Sequence, residues 1–341
     1  MKYGVIGTGW ITEAFVRSCD TVPGMELTAV CSRAEETGSA FAERVGRDLT
    51  VYTDPEMMAK DPEIEGVYIA SPNRFHYQHC MQILMGGKHV LVEKPAVVSA
   101  HQLRRLERLA GQRGLVFMEA IMMVYLPQRR MIKDTLPEIG RIYGARIHFE
   151  QLSSKLEAYK AGQNPNIFNP YYCTGALVDI GVYCVYAALD LFGRPKAISA
   201  CADFLDNGAD CSGEAVFHYP KLNLTLGWSK VGQSHAPSEI LGDKGTLTIG
   251  SISQLTDIHL YRQERSIQNV ADNRVQADTL IFGEADRVYA MRQEAMAFCE
   301  RVQGIRTQSE EEHRLMLDVQ ETIEVIRVKA GIPLGGNDAR H

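Results

Sequence analysis

Short apolar runs alternate with helical stretches through the first third of the chain, and no other feature restricts the fold as tightly. The runs cover residues 3–6, 26–31, a few positions near Val51, then 66–70, 89–92 and 115–118. Helical patterns fill the gaps at 10–19, 34–45, 55–60 and from Asn73 to the Gly86-Gly87 pair. Leu103, Leu106 and Ala110 then mark one apolar helix face. Repeated β-α units of this length imply a parallel, doubly wound sheet. Ligands of such sheets bind just outside the carboxyl ends of the strands, so those ends carry the candidate chemistry.

The first strand ends in Gly7-Thr8-Gly9-Trp10-Ile11-Thr12 and runs straight into a helix. Gly7 permits a tight turn, Gly9 lets backbone approach a pyrophosphate, and the helix N-terminus offers free N–H groups and partial positive charge. The third glycine of the strict dinucleotide pattern is replaced by Thr12. The second strand ends in Cys31-Ser32-Arg33, with no carboxylate for a ribose 2′-hydroxyl. Ser32 and Arg33 suit a 2′-phosphate instead, which favours NADP over NAD, although Glu35 and Glu36 lie close by. The run at 66–70 ends in Ser71-Pro72-Asn73 with His76 in the following helix, so these side chains belong near the same crevice. A histidine in a first helical turn also serves as a capping or surface residue.

The run at 89–92, too short and too β-branched for a helix, ends in Glu93-Lys94-Pro95. A carboxylate and an amine then stand at the mouth of the crevice, and the proline stops the ladder. A solvated charge pair at a strand end has the same sequence signature.

After about residue 120 the period changes. Tyr143, Ala145, Ile147 and Phe149 alternate with Ile142, Gly144, Arg146 and His148, and Leu222, Leu224, Leu226 and Trp228 alternate with Asn223, Thr225, Gly227 and Ser229. Similar short strands are expected at 198–204, 215–219, 238–241, 245–249 and 257–261, which makes an antiparallel sheet with one covered face. Its exposed face is a candidate dimer interface. Before most of these strands, residues 175–186 form a helix that is apolar nearly all round. It contains Asp179 and Tyr183, four apart and on one face. A carboxylate there is costly unless something binds it, and Gly181 suggests close packing by a neighbour. A satisfied core tyrosine and a structural aspartate are the simpler alternatives. Two terminal helices, about 285–302 and 310–330, look like core packing.

The length of 341 residues suits two domains, one over 1–120 that binds a dinucleotide and one over 121–341 for substrate and dimerisation. A net charge of -6 argues against nucleic acid. The apolar stretch at 176–193 is interrupted by Asp179, Gly181 and Asp190, so it reads as a buried helix rather than a membrane span. The first residues leave no room for a signal peptide. Eight scattered cysteines, without a C-x-x-C pair or Cys/His cluster, suggest free thiols in the cytoplasm and no metal site.

Taken together, these motifs resemble the glucose–fructose oxidoreductase, inositol dehydrogenase and rhizopine catabolism (Gfo/Idh/MocA) family. The residues that carry the resemblance are Gly7 and Gly9; Ser71-Pro72-Asn73 with His76; Gly86-Gly87-Lys88-His89 running on to Glu93-Lys94-Pro95; Glu119-Ala120; and Asp179-Ile180-Gly181-Val182-Tyr183. The resemblance implies an N-terminal Rossmann domain and a C-terminal α/β domain with an open, mainly antiparallel sheet. It implies reversible hydride transfer between a nicotinamide cofactor, NADP or NAD, and a secondary alcohol of a sugar, cyclitol or diol, in a dimer or dimer of dimers. Lys94 matches the family's signature lysine, Asp179 its aspartate and Tyr183 its acid/base. Tyrosine rather than histidine at that position looks like the glucose–fructose oxidoreductase and dihydrodiol dehydrogenase branch. Thr12, and Cys173-Thr174 before Gly175, depart from the usual pattern. A lyase or glycosidase with transient nicotinamide redox would carry the same residues, and a non-catalytic NADP-binding regulator is a third reading. Tyr125, residues 164–172 and His235 are expected to shape substrate choice.

Overall fold

The computed structural model describes residues 1–262, 277–307 and 309–334. Six parallel strands form the first sheet: β1 (Lys2–Ile6), β2 (Glu26–Cys31), β3 (Thr50–Tyr52), β4 (Gly66–Ile69), β5 (His89–Glu93) and β6 (Phe117–Ala120), in the order β3-β2-β1-β4-β5-β6. The crossover helices are α1 (Trp10–Cys19), α2 (Glu35–Val45), α3 (Pro55–Lys60), α4 (Asn73–Met85) and α5 (Ala100–Arg113). Strand order reverses beside β1, between β2 and β4, which is where a doubly wound sheet opens its crevice. Both faces are covered, so β4 is buried along its whole length. The stacked rings of Phe15 and Tyr68, 3.8 Å between centroids, fix α1 on the sheet.

The last strand of this sheet differs from expectation. It begins two residues later than the sequence pattern suggests and includes Glu119 and Ala120. A charge normally ends an apolar run, but this carboxylate is hydrogen-bonded on both oxygens and stays in the strand.

Two short helices, α6 (Met122–Tyr125) and α7 (Gln128–Thr135), lead into the second sheet. Its strands are β7 (Ile142–Glu150), β8 (Ala197–Phe204), β9 (Asp210–Tyr219), β10 (Leu222–Ser229), β11 (Ser238–Gly242), β12 (Gly245–Ser251), β13 (Thr256–Arg262) and β14 (Ala277–Phe282), ordered β14-β13-β12-β11-β7-β10-β9-β8. Pairing is antiparallel except between β7 and β10, which run parallel at the centre. Sequence periodicity did not reveal β14. Ala145, Ile147, Leu224, Leu226 and Trp228 are buried on the covered face. The opposite face stays polar, with Arg146 of β7 paired to Glu239 of β11.

A loop after β7 contains α8 (Leu156–Lys160) and leads to the apolar helix. That helix is not uniform: residues Leu177–Gly181 make a π-helical turn, and α9 (Val182–Phe192) continues from it. A Cβ on Gly181 would stand 3.0 Å from Trp228 Cγ. Glycine in a helix costs roughly 1 kcal/mol, whereas overpacking a core costs about 1–3 kcal/mol, so the glycine is the cheaper solution. The terminal helices are α10 (Arg287–Val302), which begins at Arg287 after an Asp286 cap, and α11 (Glu310–Ala330). Met316, Val319, Ile323 and Ile326 form the buried stripe of α11.

Candidate active site

The first strand turns at Gly7, whose φ of 107° excludes most side chains; a Cβ there would lie 2.7 Å from the Ala70 carbonyl oxygen. At Gly9 an added Cβ would meet nothing within 4 Å, so the space above the turn is open. No side chain caps α1 behind Gly9. A bare helix N-terminus beside open space fits a pyrophosphate. Thr12, in place of the third glycine, is fully buried and does not obstruct that space. Thr8 turns its carbonyl to Arg44 of α2, whose Nη2 donates at 2.9 Å. Arg44 was not anticipated from sequence, because it lies 36 residues from its partner. Ser32 and Arg33 follow β2, next to β1 in the sheet, with Arg33 exposed. These two suit a 2′-phosphate but do not line the cavity described next.

That cavity measures about 990 Å³. Trp10, Ile11, Ser71, Asn73, His76, Glu93 and Lys94 line one side, and Phe149, Asp179, Tyr183 and Lys230 line the other. The loop after β7 roofs it with Gln151, Ser153, Lys155 and residues 163–167. Of the segment 164–172 expected to shape substrate choice, residues 164–167 line this cavity and 168–172 do not. Tyr125 and His235 do not line this cavity: the Tyr125 hydroxyl donates to the Glu119 carbonyl at 2.9 Å, directed into the core.

Several contacts fix where Lys94 stands. Its neighbour Pro95 gives its carbonyl to His76 Nδ1 at 2.8 Å, and His76 Nε2 reaches the Ser71 carbonyl at 2.6 Å. His76 is 1% exposed, so it is a buried strut between two strand ends rather than a surface cap. Ser71 Oγ meets His79 Nδ1 at 2.9 Å. Asn73 Nδ2 donates to the Cys173 carbonyl at 3.0 Å, which ties α4 to the loop before the π turn. Cys173 takes a left-handed conformation, φ 56°, where a glycine would be unstrained. Thr174 Oγ1 braces that loop against the Asn166 and Asn169 carbonyls at 2.7 and 2.9 Å.

The two candidate motifs converge. Lys94 Nζ donates to Asp179 Oδ1 at 2.9 Å and to the Asp179 carbonyl at 2.7 Å, and lies 5.7 Å from the centre of the Tyr183 ring. Phe149 packs edge-on to the same ring at 5.8 Å. Lys230, just past β10, donates to Asp179 Oδ2 at 2.5 Å. Nothing in the local sequence marks Lys230, since its partner is 51 residues away.

Electrostatics follow from these contacts. Burial alone would raise the Asp179 carboxyl, but the ammonium groups of Lys94 and Lys230 outweigh it and hold Asp179 well below the usual range. Burial alone would lower Lys94, yet Asp179, Tyr183 and Glu93 keep its ammonium above the ordinary lysine range. Burial pushes the Tyr183 phenol up, against the pull of Lys94. The Glu93 carboxyl, which accepts from the Tyr68 hydroxyl at 2.5 Å, is pushed up by burial.

Among the described residues no cluster of three or more metal-ligating side chains occurs. Among the described residues one helical stretch, Pro170–Phe192, is long and apolar enough to cross a membrane, but 78% of its 18-residue apolar window is buried within the protein. Seven of the eight cysteines are buried or half-buried.

Comparison with known proteins places both halves of the chain. Residues 1–121 match the sequence model of the oxidoreductase family with NAD-binding Rossmann fold, and residues 129–248 match that of the GFO/IDH/MocA C-terminal domain. The NADP(+)-dependent scyllo-inositol 2-dehydrogenase of Bacillus subtilis is 34% identical over 80% of this chain and 82% of its own length. The human trans-1,2-dihydrobenzene-1,2-diol dehydrogenase is 30% identical over 73% of this chain and 74% of its own. The 3-ketoreductase KijD10 of Actinomadura kijaniata, solved with NADP and TDP-benzene, shares the fold with a TM-score of 0.83 at 23% identity, over 97% of this chain and 98% of that one.

Proposed function

The chain belongs to the Gfo/Idh/MocA family of oxidoreductases, and on that premise we propose that it transfers hydride reversibly between NADP and a secondary alcohol of a sugar, cyclitol or related diol. The single observation that carries this reading is the convergence of Lys94, Asp179 and Tyr183 on the cavity that also receives Trp10 and Ile11 from the first turn of α1.

NADP, when bound, supplies the carbon that accepts or returns the hydride. Gly7, Thr8, Gly9, Trp10 and Ile11 form its phosphate cradle, and Ser32 and Arg33 receive the 2′-phosphate. Ser71, Asn73, His76 and Glu93 border the path from the cradle to Lys94. Tyr183 gives its phenolic proton to the substrate oxygen in reduction and takes it back in oxidation. A phenol titrates near ~10 in water, and the neighbouring ammonium favours its ionised form, so Lys94 opposes the effect of burial. Lys94 also polarises the substrate oxygen. Asp179 has both oxygens on ammonium groups and keeps lone pairs for a neighbouring substrate hydroxyl.

Residues 1–120 serve as the cofactor domain and 121–341 as the substrate domain, whose polar sheet face is the surface for self-association; light scattering tests that association. For the chemistry, the protein is mixed with NADP+ and scyllo-inositol, D-xylose or trans-1,2-dihydrobenzene-1,2-diol. Growth of the reduced-nicotinamide absorbance is the expected result. Tight NADP binding with no absorbance change across polyols and diols would sink the reading.

A further inference from the structure

Lys230 has no role in the reading above, although it is as deeply placed as Lys94: their side chains are 12% and 15% exposed. The two ammonium groups hold one carboxylate through different oxygens, Lys230 on Oδ2 at 2.5 Å and Lys94 on Oδ1 at 2.9 Å. Burying a cation is costly, and here the cost is met twice for a single anion. One ammonium facing one carboxylate would form a neutral pair whose field at a neighbour largely cancels. With the second ammonium the group carries one positive charge in excess.

The nearest group that can use this charge is Tyr183. The charged and titratable side chains acting on its phenol are Lys94 and Glu93 at the end of β5, and Arg287 and Glu294 on α10. Asp179 lies one turn back on its own helix, with Lys230 beyond it. Lys94 Nζ lies 5.7 Å from the centre of the Tyr183 ring. An unshared Asp179 carboxylate would neutralise it.

We propose that Lys230 is a positioning residue for hydride transfer: by sharing Asp179 with Lys94 it fixes that carboxylate and leaves the Lys94 charge free to stabilise the Tyr183 phenolate. This rests on the oxidoreductase reading. In reduction, hydride reaches the carbonyl carbon, the electron pair of the C=O π bond moves onto oxygen, and the Tyr183 O–H bond breaks as its proton passes to that oxygen. Phenolate remains, facing the surplus charge. In oxidation the phenolate takes the alcohol proton, the C=O bond forms, and hydride returns to the oxidised nicotinamide.

Two measurements on K230M test this. The first is kcat against pH with NADP+ and scyllo-inositol, D-xylose or trans-1,2-dihydrobenzene-1,2-diol, whichever the wild type turns over. The second is the titration of Tyr183 in the cofactor-free protein by ζ-carbon-labelled tyrosine NMR, assigned by the resonance lost in Y183F. K230M is expected to lower kcat roughly ten- to hundredfold, leave KM for NADP+ unchanged and move the Tyr183 midpoint to higher pH. K230R should recover most of the loss, and the same change in a D179N background should cost far less. Wild-type kcat and an unmoved Tyr183 titration in K230M would overturn the proposal, as would an equal loss in D179N or a loss confined to KM for the polyol. K230Q, which keeps a donor without charge, takes the place of K230M should that variant not fold. If the wild type turns over none of these substrates, the oxidoreductase reading fails, and the tyrosine titration still decides the role of Lys230.

Discussion

Two groups of ionisable side chains meet at the end of β5, and they obey opposite rules. On the cavity side, Asp179 is matched by Lys94 and Lys230 and stays ionised despite burial. Behind them, on the core side, stand Glu93, which also borders the cavity, Glu119 and Glu294; the first two are held by phenols and a backbone N–H rather than by direct ion pairs. Tyr68 donates to Glu93, Tyr186 to Glu119, and the Ala96 N–H to Glu119 at 2.7 Å. Glu294 is fully buried, and among the described residues neither carboxyl oxygen has a hydrogen-bond partner. Burial raises all three carboxyls, and Glu294 is raised further by Glu93 and Glu119. Desolvation therefore does not decide ionisation by itself: two directly paired ammonium groups outweigh it at Asp179, whereas the pull of Lys94 on Glu93 and Glu119 does not. The division has a use. Glu119 holds the backbone just after Lys94 through the Ala96 N–H, and the cavity-side ions carry the proposed chemistry.

The largest expected effects come from breaking the cavity side. K94A removes the ammonium that touches Asp179 and faces Tyr183, and Y183F removes the proton; each should lower kcat by about 10²- to 10⁴-fold. NADP affinity, measured by fluorescence quenching, should change little in Y183F. A Y183F enzyme with near wild-type kcat would dissolve the distinction between the two sides. D179N comes next. It strips the charge that two ammonium groups share while keeping the shape, and should lower kcat by roughly ten- to hundredfold. It should also destabilise the protein more at pH 7 than at low pH. Asp179 has a folded pKa below its unfolded value, so its stabilisation is present above the unfolded pKa and is lost as pH falls through the folded one. Urea midpoints of wild type and D179N should thus approach each other in acid.

The same two sides differ in how far the sequence reveals them. Lys94 directly follows a strand whose limits come from an apolar run, and Asp179 and Tyr183 stand four residues apart across the π turn and α9, so both motifs can be found locally. Strands β2 and β10 and helices α3 and α11 likewise have bounds that period and breakers define. Contacts over long separations cannot be read this way. Lys230 and Arg44 are ordinary cations until folding brings them to Asp179 and Thr8. Glu119 reads as the end of the last parallel strand because its partners, Ala96 and Tyr186, are not visible in the pattern. The π-helical turn at Leu177–Gly181 is also hidden, since Gly181 records only the close approach of Trp228.

The smallest expected effect tests the core side. Glu294 has a folded pKa raised above its unfolded value by burial and by the two neighbouring carboxyls. A group of this kind gives stability that is complete below the unfolded pKa, near ~4.3 for glutamate, and is lost as pH rises through the folded value. Each extra proton held by the folded state steepens the loss by at most about 1.4 kcal/mol per pH unit. E294Q keeps the shape, cannot ionise, and so removes that slope. Between about pH 5 and 8 the wild type should lose stability faster than E294Q, and the curves should meet near the acid end. Urea unfolding of both proteins across that range makes the comparison. A residual slope in E294Q is expected from Glu93 and Glu119, so the difference between the proteins is the quantity to read. Equal slopes would mean that Glu294 is ionised in the folded protein and has found a cation, which would make the core side obey the same rule as the cavity side.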